Sequence, residues 1–162
     1  MSMEAARAHL EQFGLEGRIR EFSVSSATVE LAAVAVGCEP ARIAKSLSFL
    51  VEDKPILILA AGDAKVDNPR YKARFGTKAK MIPADQVEEL IGHGVGGVCP
   101  FGTKPGVTVY LDESLRRFDV VYPAAGTAAS AVELNLAELE KASGASGWVD
   151  VCKGWRPEEQ QA

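Results

Sequence analysis

The stretch Ile43-Ala44-Lys45-Ser46-Leu47-Ser48-Phe49-Leu50-Val51-Glu52-Asp53-Lys54-Pro55-Ile56-Leu57-Ile58-Leu59-Ala60-Ala61 decides the architecture of this chain. Two apolar runs of strand length, 46–51 and 55–61, flank a polar link of hairpin length, Glu52-Asp53-Lys54. They predict a central antiparallel pair, entered through a turn or short helical segment at 40–44. Working outward, residues 27–36 read as a helix with Ser25 or Ser26 as N-cap and Gly37 as its stop. Residues 4–13 predict a short amphipathic helix ended by Gly14, and 19–24 alternate apolar and polar in strand fashion. On the far side, helices are predicted over 67–75, 83–91 and 136–143, with a short one around 113–117. Strands are predicted over 107–111, 120–123 and 130–134, with an edge strand over 148–151. Residues 156–162 are polar and are expected to fray. Strands follow one another directly in some places and are separated by helices in others. That mixture predicts one α+β domain over residues 1–162, with a core of about 20–150 and a mixed sheet flanked by helices.

A chain of 162 residues buries a real core without disulfide staples. Its 47% apolar and 25% charged content is that of an ordinary globular protein. No apolar run reaches the roughly 18 residues that span a bilayer, and residues 1–7 lack the basic and apolar regions of a signal peptide. The expected location is the cytoplasm, with no membrane partner. Cys38, Cys99 and Cys152 show no zinc spacing and form no cluster with His9 or His93, so neither metal nor cofactor is expected. The net charge of −4 argues against indiscriminate nucleic-acid binding. Between 65 and 80, however, Lys65, Arg70, Lys72, Arg74, Lys78 and Lys80 face the single acid Asp67, with Tyr71 and Phe75 among them. Such a segment is either a solvated helix face or a phosphate-contacting patch.

Residues 92–106 carry six glycines, at 92, 94, 96, 97, 102 and 106, and prolines at 100 and 105. Glycine lets backbone amides turn outward and lets a ligand approach the main chain, so the loop reads as a holder of something small and polar. It is neither a P-loop nor a GxGxxG dinucleotide loop, and the chain has no GxSxG elbow. A Ser-His-Asp triad would need His9 or His93, and His93 reads as a solvated loop residue. Cys99 has no histidine placed to activate it and reads as a packing residue. Lys45, in an otherwise apolar or small stretch, either snorkels to solvent or faces a cavity.

Three ordered blocks carry a resemblance: Thr28-Val29-Glu30-Leu31-Ala32-Ala33, then Ile43-Ala44-Lys45-Ser46-Leu47-Ser48-Phe49, then Gly96-Gly97-Val98-Cys99-Pro100-Phe101-Gly102. Together they resemble the YbaK/EbsC-type aminoacyl-tRNA deacylases, whose fold is also the editing domain of bacterial-type prolyl-tRNA synthetases. The likeness runs from about residue 20 to 150. It implies a curved mixed sheet, and hydrolysis of the ester between a wrong amino acid and the terminal adenosine of tRNA, most often that for proline. The family's essential lysine falls on Lys45, its Gly-x-x-x-Pro loop on Gly96 to Pro100, and its Ser/Thr at the head of the second helix on Thr28, with Ser25 and Ser26 nearby. The implied substrate-binding set is Ser26, Thr28, Val98, Cys99, Pro100, Gly126 and Ser130.

The chemistry of these residue types agrees with that reaction. An aminoacyl ester is already activated, so orientation and charge stabilisation suffice. Backbone amides of Gly96, Gly97 and Val98 are the expected donors to the carbonyl or the developing oxyanion. Lys45, a compact cation, suits a terminal phosphate or ribose and an ordered water. Lys65, Arg70, Lys72 and Arg74 are the expected contacts to the acceptor end of tRNA, and a prolyl-tRNA synthetase is the candidate docking partner. Around Gly126 to Leu134 small alanines replace the charged or histidine residues of other branches. Cysteine or alanine on proline tRNA is the leading substrate, with serine or threonine open. The competing reading is a non-catalytic module that keeps the same pocket for an aminoacyl-adenosine, a nucleotide or tRNA.

Overall fold

A computed structural model describes residues 2–160. In chain order it contains α1 (Ser2–Glu11), β1 (Ile19–Glu21), α2 (Val29–Val36), β2 (Ile43–Val51), β3 (Lys54–Ala61), β4 (Lys65–Val66), α3 (Asn68–Phe75) and α4 (Ala84–Ile91). There follow β5 (Thr108–Asp112), β6 (Val120–Pro123), β7 (Ser130–Val132), β8 (Leu134–Asn135), α5 (Leu136–Ser143), β9 (Gly147–Val149), β10 (Cys152–Lys153) and α6 (Pro157–Gln160). Short 3-10 turns occupy Glu16–Arg18, Pro40–Arg42 and Glu113–Arg117.

The hairpin read from the sequence is the spine. β2 and β3 pair antiparallel from Ala44↔Ala61 to Val51↔Lys54, so Lys54 belongs to the strand and the turn is two residues long. Glu52 and Asp53 sit at φ 51° and 66°, the doubly left-handed turn whose twist matches a hairpin. Around this pair the main sheet runs β8-β6-β2-β3-β5-β9, mixed in direction. The contacts β2–β6, β3–β5 and β5–β9 are parallel, and β6–β8 is antiparallel. α3 covers one face, laying Tyr71 on Phe49 at 5.1 Å between ring centroids and Phe75 on Tyr110 at 5.3 Å. The buried side chains Leu57, Leu59, Leu111, Leu115 and Leu139 belong to one continuous core. α1 docks on that core through the His9 ring, which bonds the Ala142 carbonyl at 2.6 Å.

Four local expectations change. The cap of α2 is Thr28, whose Oγ1 accepts from the Leu31 amide at 3.1 Å, whereas Ser25 spends its hydroxyl on Ala27. The strand predicted over 130–134 divides: β7 pairs with β1 and β8 with β6, because the Glu133 amide turns to the Arg18 carbonyl at 3.3 Å. The predicted edge strand ends at Val149, since the Val151 amide is taken by Asp112 Oδ1 at 3.0 Å. The segment after Trp155 is held rather than frayed up to residue 160. Arg156 forks onto both oxygens of Asp150 at 2.7 and 2.6 Å; residues 161 and 162 lie outside the described residues.

Replacing Glu52-Asp53 by Asn-Gly removes two left-handed non-glycine residues from a turn that favours that pair. Denaturant unfolding of the double variant is expected to show a gain of about 1 kcal/mol at unchanged m-value. A loss of stability would mean that Glu52 and Asp53 make contacts that outweigh their backbone strain.

Candidate functional site

One cleft of about 440 Å³ opens beside β2. Its floor is the first half of that strand, including Lys45, Ser46 and Ser48. One wall is the head of α2, from Ser26 to Val29, and the facing wall is the glycine loop at Val95, Gly96 and Val98. Ile82 and Val87 close it on the α4 side, Ala124 and Ser130 on the β6 side. Met81 and Val95, also on its lining, are 60% and 68% exposed, giving the mouth an apolar rim.

Of the residues expected from sequence, Lys45, Ser26, Thr28, Gly96, Val98 and Ser130 meet on this lining. Their roles divide. Ser26 Oγ accepts from the Ser130 amide at 3.1 Å, and Ser130 Oγ accepts from the Ala125 amide at 3.2 Å. These two hydroxyls therefore staple the walls together. Gly96 lies at φ +92°, and a Cβ there would press on Ala128 Cβ at 3.0 Å, so the loop can pass this point only as glycine.

Gly97, Cys99, Pro100 and Gly126 stand behind the wall. A Cβ on Gly97 would fall 2.6 Å from the backbone of Gly126, and the Gly97 amide is spent on the Gly94 carbonyl at 3.0 Å. It is thus no donor to a ligand, contrary to the expectation for that amide. Cys99 and Pro100 are buried, and they shape the loop from inside.

Lys45 neither snorkels freely nor projects as an open charge. Its ammonium donates to the Ala64 carbonyl and, at 3.4 Å, to that of Gly62. Loss of solvent lowers its pKa below the usual 10.5, with Cys152 and Asp63 opposing and Lys65 adding to the shift. The 62–64 loop that supplies the carbonyls is fixed from behind. Arg117 forks onto Asp63 at 3.0 and 2.5 Å, and a Cβ on Gly62 would lie 2.0 Å from the Pro40 carbonyl oxygen.

His93 is fully buried, not solvated as its loop position suggests. Its Nε2 lies 2.6 Å from the Phe101 carbonyl and 3.5 Å from Cys99 Sγ. A histidine does therefore sit beside Cys99, which the sequence spacing does not reveal. Burial nevertheless pushes the thiol up to about 12 and holds the imidazole below the ordinary 6.5. Both stay neutral, and the pair is no nucleophile couple. Among the described residues no group of three His, Cys, Asp or Glu side chains could hold a metal ion, and no helix is long and apolar enough to cross a membrane.

Of the basic segment, Lys65 lies on β4 and Arg70, Lys72 and Arg74 on α3, all off the cleft lining. Lys65, Lys72 and Arg74 are exposed, with the Arg74 guanidinium 5.4 Å above the Tyr110 ring. Arg70 differs, for Asp67 and Asp150 each hold it at 3.2 Å. Asp150 is remote in sequence, so this neutralisation is invisible in the local charge count. Sequence reading also passes over Ser46, Ser48, Met81, Ile82 and Val87. The available signal was the pair of serines on one face of an otherwise apolar core strand.

A family model described as aminoacyl-tRNA editing domain matches residues 24–142. The chain is 51% identical over 156 residues to the uncharacterized protein YwhH of Bacillus subtilis (strain 168), covering 96% of this chain and 99% of that one. It is 28% identical over 113 residues to a proline–tRNA ligase of Limosilactobacillus fermentum, covering 65% of this chain but 20% of the ligase. A solved structure described as a candidate trans-editing enzyme for prolyl tRNA synthetase superposes with a TM-score of 0.85 at 31% identity, over 94% of this chain and 98% of its own.

The buried neutral His93 must take up a proton when the chain unfolds in acid. Its folded pKa is depressed, so below pH 6.5 the unfolded state binds more protons and stability falls as pH drops, by at most about 1.4 kcal/mol per pH unit for one proton. Thermal melts of wild type and His93→Gln between pH 7.5 and 5 are expected to show a shallower acid loss in the variant. Parallel curves would show that His93 stays solvated enough to titrate normally.

Proposed function

The chain belongs to the aminoacyl-tRNA editing domain family and is a deacylase, and on that premise we propose that it clears cysteine or alanine from the tRNA for proline, acting in trans. One observation carries the mechanism: a half-buried lysine and a left-handed glycine lie on the lining of one mainly apolar cleft, with no activated nucleophile beside them. This arrangement suits an ester that needs positioning more than it needs attack by a side chain.

In this reading the terminal adenosine enters past Met81 and Val95, and the aminoacyl group lies between β2 and the loop. A water oxygen adds to the ester carbonyl carbon, and the carbonyl oxygen takes the negative charge. The amides of Gly96 and Val98, on the loop side, and the fixed ammonium of Lys45 lower the energy of that charge. The tetrahedral centre then collapses, the bond from carbon to the ribose oxygen breaks, and the ribose oxygen recovers a proton that originated on the water. A neighbouring ribose hydroxyl is the nearest carrier for it. The products are a free amino acid and a tRNA with its terminal hydroxyl restored. Thr28 lends a hydroxyl at the wall while its oxygen caps α2.

The likeness to one region of proline–tRNA ligases and to a trans-editing structure supports the choice of proline tRNA. The small residues Ala27, Ala44, Ala84 and Ala124 on the cleft lining support a small amino acid. Lys65, Lys72 and Arg74 meet the phosphates of the acceptor end, whereas Arg70, already held by two carboxylates, contributes little.

Lys45→Ala is expected to lower kcat/KM for deacylation of mischarged tRNA about 10²- to 10³-fold with an unchanged circular dichroism spectrum. A near wild-type rate would remove Lys45 from the mechanism. Because the charged form acts and its pKa is depressed, the enzymatic rate, corrected for spontaneous hydrolysis, should fall as pH rises through a value below the ordinary 10.5. Charge reversal at Lys65 and Lys72 should flatten the salt dependence of tRNA binding by about one unit of slope per lost contact, while Arg70→Gln leaves it alone. An unchanged slope in the lysine variants would exclude this face from tRNA binding.

A further inference from the structure

β2 is paired along both edges except at one place. Its hairpin closes on the pair Val51↔Lys54, so Lys45, Leu47 and Phe49 point their backbone N–H and C=O groups at β3, and the even-numbered residues point theirs away. On that outer edge β6 accompanies only Ile43 and Ala44. The edge is taken up again further on, where the Ile82 amide donates to the Ser48 carbonyl at 3.1 Å and the Leu50 amide to the Lys80 carbonyl at 2.9 Å. Between these two stretches the Ser46 N–H, the Ser46 C=O and the Ser48 N–H meet no partner among the described residues. Ser46 Oγ is also buried without a partner. This gap opens into the cleft, with Ala124 at one end and Ile82 at the other.

Buried backbone groups are nearly always paired, and an open strand edge is a template for one more extended residue. An aminoacyl ester offers such a residue: amino nitrogen, α-carbon and carbonyl in chain order, with a donor and an acceptor along one edge when extended. We propose that the substrate's aminoacyl group docks in the gap as a strand of one residue. Its α-ammonium donates to the Ser46 carbonyl, and its ester carbonyl accepts from the Ser46 amide. This inference rests on the deacylase reading and makes Ser46 a substrate-positioning residue through its main chain. The same amide faces the carbonyl oxygen as that oxygen gains charge, opposite the donors of the glycine loop. Pairing by main chain also fixes which sheet face receives the amino-acid side chain, so only one hand of the α-carbon presents it to the pocket.

The test uses stable probes, adenosine carrying L-alanine, L-cysteine or L-serine on a 3′ amide in place of the ester, with amide hydrogen exchange read by NMR on the full chain. Without probe, the Lys45 and Leu47 amides should exchange slowly and the Ser46 amide faster. With a bound probe, Ser46 exchange should slow at least about 10-fold. The propanoyl analogue, which lacks the amino group, should bind about 10- to 100-fold more weakly than the alanyl probe, the loss of one hydrogen bond to a charged group. Binding with unchanged Ser46 exchange, or equal affinity for the propanoyl analogue, would overturn the docking mode while leaving the deacylase reading intact. So would an enzyme that hydrolyses an ester yet fails to bind the matching amide, since the amide keeps both groups. Absence of both probe binding and deacylation across mischarged tRNAs would reject the deacylase reading itself, and the docking mode with it.

Discussion

The Lys45 ammonium, held by the carbonyls of the 62–64 loop, is the contact around which the site is arranged. A half-buried cation loses hydration and needs fixed acceptors in exchange. Those acceptors are good only if their loop cannot relax away. Gly62 packs so closely on Pro40 that no side chain fits, which joins the loop to the turn that leads into β2. Asp63 is forked by Arg117, which carries the restraint to the 3-10 turn after β5. The head of that turn is capped by the buried Asp112, whose other oxygen holds the Val151 amide. The position of one ammonium therefore depends on groups from residue 40 to residue 151, which ties the geometry of the candidate site to global packing.

β2 serves the core and the site at once, and the two demands meet in alternate residues. Phe49 and Leu47 face the side covered by α3, where Tyr71 stacks. Ser46 and Ser48 face the other way, into the cleft. A strand built only for the core would fill those positions with apolar side chains. The serines give up hydrophobic burial in exchange for a polar floor, and the departure of β6 after Ala44 leaves the backbone there accessible. Local departures from ideal sheet structure of this kind are where a fold makes room for function.

Much of this was legible in the sequence, and the reasons differ by element. The hairpin, α3, α4 and α5 have strong local signals: continuous apolar runs, a proline at the start and a left-handed glycine at the end of a helix, and for α5 an Asn135–Glu138 capping box. Lys45 stood out because a lysine in an apolar run always needs a reason. What escaped was set by distant partners. β4 and β10 are two residues each and exist only through their mutual pairing. The burial of His93 depends on Phe101 and on α1, and the neutralisation of Arg70 on Asp150. Gly97 illustrates the limit well. Its backbone freedom is evident from sequence, but only the fold tells that it serves close packing on Gly126 instead of ligand binding.

The distribution of positive charge completes the picture. Arginines supply the ion pairs, with Arg18 on Glu138, Arg20 on Glu133, Arg117 on Asp63 and Arg156 on Asp150. Bidentate forks suit that structural role. The exposed cations between 65 and 80 are mainly lysines, and two of them flank the cleft: Lys65 is near enough for its charge to act on Lys45, and Lys80 precedes the rim residue Met81. An acidic chain thus keeps a local cationic approach to one opening. On the proposed tRNA-binding face, a polyanion would be drawn to that approach and repelled elsewhere, steering encounter toward the end of the molecule that carries the ester. Recognition of the acceptor end then needs no broad basic surface, which reconciles a net charge of −4 with a nucleic-acid substrate.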